Sequence, residues 1–176
     1  MSMQFWEILP APKPGMASGA HPFADSFVLM DPGRIVTSPT FGWTWPADAA
    51  EVPDWVFAND ITLPLSERAR AVLDEHLGPR DQIQWIPGPL ELPTGETLRL
   101  WVPHFPDTPD ILDAEHSTIG PSGLPIRWVL SQQKMAGHAV VQPYRGTHYV
   151  VVSHVVLDAM RAAGLTGFTA KRARMV

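Results

Sequence analysis

Five side chains able to ligate a metal or move a proton fall at every third position in HFPDTPDILDAEHS, residues 104–117: His104, Asp107, Asp110, Asp113 and His116. Glu115 and Ser117 stand beside them. Three-residue spacing aligns side chains in a 3₁₀ or polyproline II segment, and Pro106 and Pro109 favour the second. His104, Asp107 and Asp110 would then share one side. Mixed imidazole and carboxylate ligands suit zinc, manganese or iron. His104, Asp107, Asp110 and His116 are therefore one candidate metal set, for a small metal-dependent enzyme or a ligand-binding domain. The same spacing suits a helix start, with Thr108 as N-cap, Pro109 at the first helical position and Asp110 in a first turn whose dipole favours acids. A third use is an acidic patch for a partner. The stretch matches neither the EF-hand spacing nor HExxH.

Other chemistry is thinly represented. The chain of 176 residues has no cysteine, which removes disulfides, thiol nucleophiles and thiolate metal sites. No GxSxG, GxGxxG or P-loop is present, so neither a serine hydrolase nor a nucleotide cofactor is suggested. His138, His148 and His154 cluster in sequence, and on alternating strands His138 and His148 would face each other across a turn. Such histidines more often fill a surface or a core.

Charge is uneven along the chain. The net charge of −5 combines 6 basic and 17 acidic side chains over residues 1–125 with 7 basic and 1 acidic over 126–176. The acidic part argues against nucleic-acid binding, which needs clustered Lys and Arg. Proline splits at the same place, with 18 of 19 before residue 126. A hydrophobic content of 45% supports a packed core with short elements and many turns. The opening MSMQFWEILPAPKPG lacks a basic region before its apolar run, so no signal peptide is expected. No apolar run reaches membrane-spanning length, so no membrane association is expected. The expected location is the cytoplasm.

The elements that must position these residues are clearest after residue 60. MQFWEIL (3–9) and DSFVLM (25–30) suggest strands within an otherwise irregular N-terminal region, residues 1–60, packed on a main domain at 61–176. FGWTWPADAAEVPDWVF (41–57) is either a proline-bounded loop pinned by Trp43, Trp45 and Trp55, or an exposed aromatic and acidic contact surface using Asp48, Glu51, Asp54 and Trp55. ITLPL (61–65) is strand-like. A helix follows over 66–77, capped by Ser66 and lined by Ala69, Val72, Leu73 and Leu77. QIQWIPG (82–88), ETLRLWVPHF (96–105) and LPIRWVLS (124–131) alternate as strands do. HAVVQPYRGTHYVVVS (138–153) suggests a hairpin turning at 144–147. Ser153 caps a second helix over 154–163, Gly164 ends it, and TGFTAKRA (166–173) returns as a strand. The expectation is an α+β fold, a mostly antiparallel sheet with two principal helices.

YVVVSHVVLDAMRAAGLTGF (149–168) resembles the C-terminal signature of a family of bacterial immunity proteins from polymorphic-toxin and contact-dependent competition systems. DILDAEHSTI (110–119) resembles that family's mid-domain D-x-L-D-x-E-x-S segment. PLSERARAVLDEHLG (64–78) and QIQWIPGPLELPTGE (82–96) resemble its earlier helix and the strand and turn that follow. The blocks fall in the family's order and cover roughly residues 60–170. The resemblance implies a cytoplasmic binding protein rather than an enzyme. Such a protein needs no cofactor, takes a cognate toxin domain as its partner, and leaves a homodimer open. Under this reading Asp48, Glu51, Asp54, Trp55, Asp107, Asp110, Asp113 and Glu115 are the candidate toxin-binding residues, opposing a basic toxin surface. Some relatives carry paired C-x-x-C motifs, which this chain lacks.

Overall fold

The computed structural model describes residues 3–11, 15–49, 51–145, 147 and 149–176. Its frame is an antiparallel sheet built from the two ends of the chain. Strand β1 (Phe5–Pro10) lies between β10 (Phe168–Arg172) and β9 (Val150–Ser153), and β8 (Val140–Val141) pairs on the outer side of β9. Residues 5–10 are thus a central strand of the C-terminal sheet, and the division at residue 60 does not hold for them. The register sets Ile8 opposite Val150 and Phe5 opposite Ser153.

Val150, Val151 and Val152 are all buried because this sheet is covered on both faces. Ile8, Val150 and Val152 pack with Trp55, Leu65, Leu73, Val156 and Met160. Phe5, Val141 and Val151 pack on the other side with Ile111, Leu130 and Met135. A second sheet runs in the order β2 (Ser18–Gly19), β3 (Trp43–Thr44), β4 (Gln84–Glu91), β5 (Thr97–His104). Among its described strands the one parallel pair is β3 with β4. Phe41, Trp43, Ile86, Leu90, Leu100 and Val102 form its core. A small hairpin, β6 (Thr118–Ile119) with β7 (Pro125–Arg127), stands apart. The α+β architecture with mostly antiparallel sheets agrees with the sequence expectation.

Both expected helices form for local reasons. Helix α1 (Glu67–Glu75) begins where Ala69 N donates to Ser66 Oγ at 3.1 Å. Helix α2 (His154–Ala162) begins where Val156 N donates to Ser153 Oγ at 3.4 Å. It ends in a Schellman motif: Gly164, at φ 64°, donates to Arg161 O, and Leu165 N donates to Met160 O. Two expectations fail. DSFVLM lies within a 3₁₀ helix (Phe23–Met30), not a strand. ITLPL makes only isolated bridges, at Leu65 to Trp55 and Trp101. No helix among the described residues is long and apolar enough to cross a membrane.

Candidate functional site

The five residues of the 104–117 stretch go to different places. His104 ends β5 and turns inward, 1% exposed, with its Nε2 at 2.7 Å from Gly33 O. Burial pushes its pKa below the ordinary histidine value, so the neutral ring donates from Nε2. Asp110 Oδ2 accepts from Lys134 Nζ at 2.7 Å, and Lys134 also donates to Leu112 O. Asp113 Oδ1 accepts from Glu115 N, His116 N and His116 Nδ1. These bonds, led by the one from the His116 ring, hold the Asp113 carboxyl below its usual range.

The metal set His104, Asp107, Asp110 and His116 is therefore dispersed between the core, Lys134 and the Asp113 turn. Among the described residues no group of three or more His, Cys, Asp or Glu side chains could hold a metal ion. The helix start at Thr108 is also absent: Asp107–Asp110 is irregular, and the side-chain cap sits at Asp113. The segment is pinned at both ends. Arg145 donates to Phe105 O and Pro106 O, Ile111 is fully buried, and Ser131 N donates to Ile111 O. Asp107, Asp110 and Glu115 remain exposed on it, with Asp113 half-buried.

The 41–57 segment is pinned by its tryptophans. Trp43, Trp45 and Trp55 are buried, and Trp43 Nε1 donates to Thr62 Oγ1 at 3.1 Å. Asp54 and Trp55 are therefore corrected from contact surface to interior. The Asp54 carboxylate accepts from Ser66 Oγ at 2.6 Å and from Thr166 N at 3.1 Å, with Arg68 at 3.6 Å. It joins the start of α1 to the turn after α2. Asp48 and Glu51 are exposed. Glu51 and Glu96 line a groove of about 490 Å³ walled by Trp45, Pro46, Val52, Leu92 and Leu98. Among the described residues no lysine or arginine lines it.

A second cleft of about 490 Å³ adjoins the 104–117 stretch and was not anticipated as a unit. Phe105, Asp107, Thr108 and Pro109 form one side, and Arg80, Asp81, His138, Val140 and Val141 others. The Asp81 side chain is fully buried. Its Oδ2 accepts from Gly78 N, Ala139 N and Val140 N at 2.7–2.8 Å, and its Oδ1 accepts from His138 Nδ1 at 2.7 Å. The turn at Gly78 touches 137–139 so closely that a Cβ on Gly78 would lie 2.4 Å from Gly137 O. Asp81 draws the Nδ1 proton of His138 to itself and so fixes the ring's orientation. The Nε2 of His138 and the Oγ1 of Thr108 are buried without a partner. His148, once expected to face His138, lies outside the described residues. The only sequence signal for the pair was GPRD, a turn ending in an acid, set against the lone His138 before an apolar run.

No protein-family model matches the chain, and no curated protein matches it.

Proposed function

We propose that this chain is an immunity protein that binds a cognate antibacterial toxin domain in the cytoplasm and neutralises it without turnover. The observation that carries the reading is the groove between the 45–52 segment and the β4–β5 turn. Its walls are apolar and the charged side chains among its described lining residues are the carboxylates of Glu51 and Glu96, with Asp48 exposed on the same segment. Apolar walls supply contact area, and an acidic rim steers a basic partner and sets its orientation. Asp107, Asp110 and Glu115 add exposed acids on a backbone held rigid by Arg145 and Ile111. A pre-ordered surface loses less entropy on association. The block-by-block resemblance over residues 60–170 supports the same reading. The test is affinity capture of the tagged chain from its native cells at low and high salt. A single stoichiometric partner carrying a toxin domain, loosened by salt and lost in E51K/E96K, is expected. Capture unaffected by salt and by that charge reversal would contradict it.

A further inference from the structure

The groove reading leaves one edge of the antiparallel sheet unused, and the following does not depend on it. Strand β10 ends that sheet and is bonded to β1 on one side. Ala173 N donates to Phe5 O and Ala11 N donates to Gly167 O, while the register sets Lys171 against Glu7 and Thr169 against Leu9. In an antiparallel pair alternate residues turn their backbone groups to the partner strand. The odd-numbered residues over 167–173 therefore face β1, and Phe168, Ala170 and Arg172 turn their backbone groups outward. This outer side is taken at both ends: Trp55 N donates to Thr166 O, and Leu130 N donates to Arg174 O. Between those ends, among the described residues, no hydrogen bond reaches the outward groups. An open edge of about 14 Å remains from Phe168 to Arg172, at about 3.4 Å per residue.

We propose that this open edge takes an extended acidic segment of a partner protein, added as a further strand on β10. Strand addition to a free sheet edge binds through the backbone, and the flanking side chains select the partner. Here the flanking side chains are cations, since Lys171, Arg172 and Arg174 are all exposed. Lys171 lies 3.8 Å from Glu7, its neighbour on β1. Among the described residues no ion pair includes Arg172 or Arg174. Cations on an edge oppose its pairing with a second copy, because β10 against β10 sets like charges across the pair. An acidic strand meets the same cations with opposite charge and gains backbone bonds at Ala170 and Arg172.

The experiment follows the backbone amides of the ¹⁵N-labelled full chain by NMR as an end-blocked heptapeptide of alternating glutamate and threonine is added. In the free chain the amides of Ala170 and Arg172 should exchange with solvent faster than those of Thr169 and Lys171, which are bonded to β1. At millimolar peptide the Ala170 and Arg172 amides should shift saturably and become protected. The same peptide with lysine for glutamate should bind about tenfold more weakly or not at all. A170P removes one outward N–H at a position where an edge strand tolerates proline, and should weaken binding by about tenfold. If A170P does not fold, the glutamate peptide N-methylated at every residue makes the same test from the other strand. Slow exchange of the two outward amides in the free chain, or no saturable change there with peptide, would overturn the proposal. So would equal affinity for the glutamate and lysine peptides, or for the plain and N-methylated ones.

Discussion

The His138 ring donates from Nδ1 to Oδ1 of Asp81 at 2.7 Å, while the other oxygen of the same carboxylate holds three backbone N–H groups. One buried side chain thus closes the Gly78–Asp81 turn, starts strand β8 and orients an imidazole. Asp81→Ala leaves those donors unpaired in a water-poor site. We expect a loss of about 3–5 kcal/mol, read as a lower urea midpoint. Asp81→Asn should lose less, since its amide oxygen still accepts. A change within about 0.5 kcal/mol for Asp81→Ala would refute this role.

Asp54 makes the second prediction because it was expected at the surface and lies inside. Its carboxylate accepts from Ser66 Oγ and Thr166 N, which are brought together only in the fold. Asp54→Ala should cost about 3 kcal/mol. Asp48→Lys, on an exposed side chain, should change stability by no more than about 0.5 kcal/mol. Thermal and urea unfolding of the two variants separates a structural carboxylate from a solvated surface carboxylate. Equal effects would remove the distinction.

His104 sets a pH dependence. Burial holds its folded pKa below the ordinary value of about 6.5. Below that pH the unfolded chain gains a proton that the folded chain resists. The stability from the neutral buried ring is therefore complete above about pH 6.5 and is lost as pH falls toward the folded pKa. Melting temperature should fall between pH 7.5 and 5.5, and the fall should be shallower in His104→Gln, whose amide can still donate to Gly33 O. Parallel slopes in the two proteins would contradict the assignment.

Salt and charge reversal give a fourth outcome. Glu51 and Glu96 line an apolar groove with no cation among its described lining residues. If it takes a basic partner, E51K/E96K should slow association more than it speeds dissociation, and raised salt should do the same to the parent chain. Surface plasmon resonance with the captured partner measures both rates. An effect confined to dissociation would argue for a different contact.

What could be read beforehand was local. Ser66 and Ser153 cap helices through bonds spanning three residues, and Gly164 closes α2 through bonds spanning three and five. The valines of β9 and the alternation of β4 and β5 carry their burial in their own order. DSFVLM misled because its apolar run of four, Phe27 to Met30, is too short to separate a strand from a 3₁₀ turn. The site was less legible because its partners are distant. His104 meets Gly33 across 71 residues, His138 meets Asp81 across 57, and Asp54 meets Thr166 across 112. Three-residue spacing in 104–117 looked like one face, but Ile111 and His104 are drawn inward in turn and scatter the acids between them.

The most direct measurement is growth rescue. Whatever protein affinity capture recovers with this chain is expressed alone, with the parent chain, and with E51K/E96K. The account predicts growth arrest by the partner alone, full relief by the parent chain, and loss of relief in the variant at equal abundance. A captured partner that is harmless when expressed alone, or whose arrest the parent chain does not relieve, would contradict it.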